Sequence, residues 1–413
     1  MTAKSLAIYE EIVGRVAISQ LKQIADDIEG ARVVHVNSTK AGGGVAEILH
    51  WLIPLMNDLG LKASWEIVEG HDEYFNVTKS FHNGLQGNHV VLTPSMIEVY
   101  EQTVGKNADR LRPVLEEADF VFVHDPQPAY LLKLCPNRKG KWIWRCHIDV
   151  SHPYRKVWSY LKGLVSGFDA SIFSMPHFAQ SLPHAQFIIA PSIDPLSEKN
   201  CDIPQKEISA TLKKFGISPE LPVLTQVSRF DRFKDPVGVI EAFSLLNHAV
   251  EAQLVLAGGG ATDDPEGEAV YREVVDAAQG NDRIFVLQLP SDAHRTINAL
   301  QRASSIVIQK SLQEGFGLTV TEAMWKGKPV IGGNVGGIRL QVHNHHTGYL
   351  VDSPEGAALR MRELLRQPEK MLRIGQTAKQ FVRENFLLTR HLREYLTLMA
   401  GFRHGLENDL IRV

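Results

Sequence analysis

Two glutamates separated by seven residues, in Glu314-Gly-Phe-Gly-Leu-Thr-Val-Thr-Glu322, are the best candidates for chemistry in this chain. Glycines at 315 and 317 let backbone approach a ligand without interference from a Cβ. A helix opening at about Leu318 and Thr319 leaves its first N–H groups unpaired, which makes a seat for a phosphate. Glu314 then stands in the loop and Glu322 in the first helical turn. One carboxylate can reach past the phosphates toward a sugar while the other holds hydroxyls on the opposite side. Singly, Glu314 reads as a loop acid and Glu322 as an acid that stabilises the helix dipole. The whole string, Gly315, Phe316 and Gly317 included, points to a ligand.

A second cluster, Ser228-Arg229-Phe-Asp-Arg-Phe-Lys234, follows the apolar run Val223–Val227. Cations at a strand's carboxyl end suit a diphosphate: Arg229 as a two-pronged fork, Lys234 as a point charge. A leaving nucleoside diphosphate gains negative charge, so both would stabilise the transition state. Arg232 reads as an ordinary surface charge. A third segment, Thr39-Lys-Ala-Gly-Gly-Gly-Val-Ala46, puts Gly42, Gly43 and Gly44 at a strand-to-helix junction, where backbone can meet a phosphate or sugar. In a fourth, Arg145-Cys-His-Ile-Asp149, His147 and Asp149 alternate along extended chain and face the same way. Histidine can bond a sugar hydroxyl and aspartate can orient one or take its proton. Asp125 in His124-Asp-Pro-Gln-Pro128, and His82, Asn83 and Gln86 in His82-Asn-Gly-Leu-Gln86, read similarly.

Other chemistries lack their residues. There is no GxGxxG after a strand, no GxxxxGK[ST], no pair of aspartates two apart, no GxSxG and no HExxH. No metal site is expected: His343-Asn-His-His346 reads as a polar turn, and Asp263-Asp264-Pro265 as a loop and helix cap.

The elements that must hold these residues follow from composition and period. A chain of 413 residues, 44% hydrophobic and 22% charged, suits a globular enzyme of two domains. Its net charge of -3 attracts neither nucleic acid nor an anionic membrane, so any bound anion must meet a local cluster. No apolar run approaches the roughly 18 residues of a membrane span, and no signal peptide is expected. Cys135, Cys146 and Cys201 form no pairing pattern, which suggests reduced thiols in a cytoplasmic protein.

Short β-branched runs alternate with helical patterns, the mark of parallel α/β sheets. Strands are expected at 32–37, 63–68, 120–124, 142–145, 170–173 and 187–189, and again at 223–227, 253–257, 284–287, 305–309, 329–331 and 349–351. A helix carrying Val45, Ile48, Leu49, Leu52, Met56 and Leu59 at a 3.6 period should bend at Pro54 and end at Gly60. Others are expected at about 236–246, 266–278, 293–302 and 320–326. The proline-containing segment 190–200 is the linker candidate. This gives an acceptor-side Rossmann-like domain over 1–190 and a nucleotide-sugar-binding one over 191–387, with a helix of about 388–413 returning to the first. Ligands should bind at the carboxyl ends of the strands, in a deep cleft that both domains face.

With these residues in place, the chain resembles the retaining GT-B glycosyltransferases of family four. Their signature is a glutamate, seven residues and a second glutamate, preceded by an arginine and a lysine after the first strand of the second domain. Within the family the chain is similar to the trehalose-forming members. The likeness runs through His35-Val-Asn-Ser38, Gly42–His50, Glu69-Gly70, Phe75–Thr78, His124–Pro128, Trp144–Asp149, Pro191–Asn200 and Glu314–Gly332.

The resemblance implies glucosyl transfer from a nucleoside-diphosphate-glucose to free glucose, giving α,α-trehalose by a reversible, retaining reaction. It assigns Arg229 and Lys234 to the diphosphate, Glu322 to ribose hydroxyls, and Glu314 and His147 to the donor sugar. Gly42–Gly44 would cover the donor, and the base would lie by Leu287, in Val286–Leu289. His82, Asn83, Gln86, Asp125 and Asp149 are left for the acceptor. Reaction is expected on one face of the sugar, with no indispensable base. Magnesium would come only with the nucleotide, and a homodimer is expected. Arg232-Phe233 departs from the related sequences, which leaves the shape of that turn open. A trehalose phosphorylase, a nucleotide-sugar epimerase or a catalytically silent binding protein are the rival readings.

Overall fold

The computed structural model describes residues 5–40, 43–246, 250–259 and 265–405, so Gly42, Asp263 and Asp264 lie outside the described residues. The chain divides into two compact units. One runs to Pro191 and includes the later helix Leu388–Arg403; the other spans Ser192–Leu387.

Each unit is built on a six-stranded parallel sheet. The first contains β1 (Arg32–Asn37), β2 (Lys62–Ile67), β3 (Phe120–His124), β4 (Lys141–Arg145), β5 (Ala170–Phe173) and β6 (Ala185–Ile188), in the order β2-β1-β3-β4-β5-β6. The second contains β7 (Val223–Val227), β8 (Gln253–Gly259), β9 (Ile284–Leu289), β10 (Ile306–Gln309), β11 (Val330–Gly333) and β12 (Gly348–Val351), in the order β12-β11-β10-β7-β8-β9. All twelve expected strands occur, displaced by at most two residues at either end. The β-branched runs are near-continuous because helices cover both faces of a parallel sheet: every residue of β3 and of β7 is buried.

The helix Gly43–Asp58 continues through Pro54. It closes with Gly60 N–H on the Asn57 carbonyl and Leu61 N–H on that of Met56, the paired bonds of a left-handed C-terminal cap. The helix Leu388–Arg403 packs on the first sheet through Tyr395, whose ring lies 4.9 Å from Phe122. Arg390 also donates to the carbonyls of Ala190 and Pro191.

The segment read as a linker is no loose tether. Ser192, Ile193, Asp194 and Asn200 are buried, and Ile193 bridges to Leu387. The Asn200 amide donates to the Asp194 carbonyl and to Ser197 Oγ. Its prolines and polar side chains make a turn network rather than an exposed connection.

Candidate active site

In the second sheet the chain leaves β7 in one direction and returns to β10 on the other side of it. The two are neighbours at the point where strand order reverses, the place in open α/β sheets where loops part and ligands settle. The loops after β7 and β10 carry both sequence clusters, and they are tied together crosswise. Lys234 from the first donates to Glu314 Oε2 in the second at 2.8 Å, and Lys310 from the second pairs with Asp235 in the first. Leu312 N–H adds a backbone bond to the Phe233 carbonyl. Side chains of Lys234 and Glu314 are only 17% and 12% exposed, so each charge depends on the other.

Glu314 also lies 3.4 Å from Ser311 Oγ. Its backbone is pinned from behind by Gly336, where a Cβ would fall 1.7 Å from the Glu314 carbonyl oxygen. Gly317, at φ 84°, turns the chain into the helix Leu318–Trp325. Gln341 holds this corner by donating to the Phe316 carbonyl while accepting from Thr321 Oγ1. The helix therefore opens with the N–H groups of Leu318 and Thr319 directed away from its own carbonyls, as a phosphate seat requires.

Because the helix starts at Leu318, Glu322 falls in its second turn, not its first, and is buried rather than a dipole-stabilising surface acid. Lys199 approaches it at 3.9 Å. Lys326, one turn on, donates to the Glu322 carbonyl and to Asn200 Oδ1. Burial lowers the Lys326 ammonium to about 7, with the Glu322 charge opposing that fall and Arg302 and Lys199 adding to it. Arg229 is 69% exposed and 3.6 Å from Asp231 Oδ2. Arg232 makes a two-pronged pair with Glu273 at 3.0 and 2.6 Å, an ordinary surface tie. Leu287 sits half-buried in β9, the edge strand, with its side chain on a core cluster.

In the first unit the reversal lies between β1 and β3. Gly43 and Gly44 follow β1 and open the helix there. Asp125 follows β3 at φ 62°, and its Oδ1 accepts the His147 backbone N–H at 2.7 Å. Burial raises that carboxyl to about 7, opposed by the His147 bond and the Arg145 charge. His147 and Asp149 are half-buried and alternate with buried Cys146, Ile148 and Val150. Asp149 Oδ1 accepts from Ser151 N and Oγ at 3.0 and 2.6 Å. His82, Asn83 and Gln86 stand at the end of the helix Asp72–Leu85, which is tied to the segment after Asp149 by the Tyr154 N–H on the Gly84 carbonyl at 2.7 Å. His343–His346 forms a turn with His345 at φ 68°. Among the described residues, no three His, Cys, Asp or Glu side chains converge as a metal site.

Comparison with known proteins identifies the family. Residues 35–180 match the family model described as trehalose synthase, N-terminal domain, and residues 207–381 the one described as glycosyl transferases group 1. The trehalose synthase of Thermococcus litoralis is 44% identical over 97% of both chains. The chain belongs to the trehalose synthase family. It is thus a glycosyltransferase of trehalose metabolism. More distant is the trehalose phosphorylase of Pleurotus pulmonarius, 26% identical over 85% of this chain and 54% of that one. A solved sucrose-phosphate synthase from Thermosynechococcus elongatus matches the fold at 16% identity and TM-score 0.70, over 90% of this chain and 99% of that one. The GT-B architecture expected from the sequence is shared.

Several residues at these sites carried no signal of their own. Asp235, Lys310 and Ser311 flank the motifs without standing in one. Gly336 belongs to a second glycine-rich string, Gly332-Gly-Asn-Val-Gly-Gly337, whose tight approach to Glu314 was readable as a loop that needs bare backbone. Lys199 and Lys326 matter only once the supposed linker is folded against the helix.

Proposed function

We propose that this protein transfers glucose, with retention, from a nucleoside-diphosphate-glucose to the anomeric hydroxyl of free glucose, yielding α,α-trehalose and a nucleoside diphosphate. The reading rests chiefly on the cross-tied loops that hold Lys234 and Glu314 beside the N-terminus of the helix Leu318–Trp325.

In this reading the diphosphate lies on the Leu318 and Thr319 N–H groups, with Lys234 and Arg229 supplying cations. Glu314 holds sugar hydroxyls and Glu322 ribose hydroxyls. Edge strand β9 offers backbone groups to the base, which permits more than one nucleotide. Gly43 and Gly44 approach the donor, and His147 bonds its sugar. Asp125, Asp149, His82, Asn83 and Gln86 serve the acceptor. The bond from the donor's anomeric carbon to the diphosphate oxygen breaks, and its electron pair leaves with the phosphate. The acceptor oxygen bonds to that carbon on the same face, and its proton passes to the departing phosphate oxygen. The cations stabilise charge as it develops, and positioning supplies much of the remainder. Magnesium, in this reading, arrives with the nucleotide.

Phosphorolysis is the alternative, because inorganic phosphate could occupy the same helix start. The 44% identity to a trehalose synthase, against 26% to a phosphorylase, favours nucleotide chemistry. Incubating the protein with trehalose and either a nucleoside diphosphate or inorganic phosphate separates the two. Sugar nucleotide is the expected product; glucose 1-phosphate formed only with phosphate would replace this reading by the other.

A further inference from the structure

Three imidazoles of the first unit form a single hydrogen-bonded line. His35 Nδ1 lies 3.0 Å from His124 Nε2, and His124 Nδ1 lies 2.9 Å from His147 Nε2. The sheet sets this line, because each step crosses one strand and advances along it on the same face. His35 pairs in register with Phe122, two residues before His124, and His124 pairs with Arg145, two before His147. His35 and His124 are buried, while His147 is the half-exposed end.

A neutral imidazole has one N–H and one lone pair. Two bonds among three such rings can therefore be made in only two ways: every proton on Nδ1, or every proton on Nε2. The rings cannot choose independently.

All three are neutral near pH 7. Burial lowers His35 to about 3. Burial comes first for His124 as well, followed by the neighbouring rings and Arg145, and burial then Arg145 for His147. Arg145 is itself buried, with Nε and Nη1 lacking partners among the described residues.

The buried end decides between the two arrangements. Among the described residues His35 Nε2 has no hydrogen-bond partner. Protons on Nε2 would make it a buried N–H without an acceptor. Protons on Nδ1 leave only an idle lone pair there, and orphaned buried N–H groups are the rarer defect.

We propose that His35 and His124 are positioning residues that fix His147 in its Nδ1–H form, so that its outward nitrogen offers a sugar oxygen a donor and not an acceptor. The sugar as its target rests on the proposed function; the tautomer does not.

Protein labelled with 15N in its histidine rings tests this by long-range proton–nitrogen correlation, with His147→Gln identifying the signal. His147 is expected as Nδ1–H, and an Nε2–H form in the wild type overturns the proposal. His35→Phe keeps a ring against Phe122 but removes the N–H. It should give mixed His147 tautomers and lower kcat/KM for the nucleotide sugar about tenfold, roughly one hydrogen bond. The loss should fall on kcat, with KM within about twofold. His35→Asn, whose amide can donate from nearly the Nδ1 position, should restore one tautomer and most of the activity. An unchanged His147 tautomer in His35→Phe overturns the proposal as well. Should that variant not fold, the wild-type spectrum still decides. Absent transfer activity would remove the proposed function and leave the tautomer result standing.

Discussion

The two units solve the same problem, holding polar side chains at the carboxyl edge of a parallel sheet, with opposite materials. The second unit uses charge in pairs: Lys234 with Glu314, Lys310 with Asp235, Lys199 near Glu322. The first uses neutral rings in series, His35, His124 and His147, beside the buried Arg145. Paired charges suit a ligand whose charge changes during reaction, since the cations are already ordered when it develops. Neutral rings suit hydroxyls, where direction of hydrogen bonding matters more than charge. The contrast predicts that substitutions hurt more, and differently, in the second unit.

The largest effect is expected from Lys234→Ala. It removes the cation proposed for the diphosphate and strands Glu314 in a mostly buried place, so kcat should fall about 10²–10³-fold and the melting temperature should drop with it. Steady-state kinetics and a thermal melt check both; wild-type turnover would remove Lys234 from the proposed site. Glu314→Gln should depress turnover by about a hundredfold, less than Lys234→Ala, because the amide still accepts a bond. Arg229→Ala is next. The side chain is mostly exposed, so nucleoside diphosphate affinity should weaken about tenfold while the fold is unaffected. Calorimetric titration beside a melt separates the two, and unchanged affinity would take Arg229 out of the site.

Two pH effects sharpen the comparison from the other side. His35 is lowered from 6.5 to about 3 in the fold. As pH falls below 6.5 the unfolded chain takes up this proton and the folded one does not, so stability present above 6.5 is lost toward 3. His124, His147 and His391 shift in the same direction. The first unit should therefore yield to acid before the second. Tryptophan fluorescence reports it, since Trp51, Trp65, Trp142, Trp144 and Trp158 belong to the first unit and Trp325 alone to the second. Asp125 acts oppositely. Its carboxyl is raised from 3.8 to about 7, so stability present below 3.8 declines as pH rises toward 7. Asp125→Asn should flatten that decline in urea titrations across the interval; an unaltered slope would mean that the carboxyl is ionised in the fold.

The difference between the units also explains what the sequence could disclose. The twelve strands were legible because buried parallel strands demand short runs rich in β-branched and other apolar residues, such as Phe120–His124 and Val223–Val227. The paired charges left local strings as well: Arg229 to Lys234 stand directly after a strand, and Glu314 to Glu322 carry glycines at 315 and 317. The histidine line was not. His35 and His124 stand 89 residues apart, and strand order and register alone make them neighbours. Lys199 and Lys326 were hidden for a similar reason: prolines and polar residues in 190–200 look like a connection until Asn200 is seen beneath the helix. Local patterns report elements and loops, while contacts between distant strands depend on topology.

The central proposal is that the protein performs retaining transfer between glucose units. It is tested most directly by incubating the protein with free glucose and ADP-, UDP- or GDP-α-glucose labelled with 13C at the anomeric carbon, followed by NMR of the products. The expected product is a single non-reducing disaccharide, α,α-trehalose, with label in an α-linked anomeric carbon and nucleoside diphosphate released in equal amount. A β linkage, or no disaccharide from any of the three donors, would contradict it.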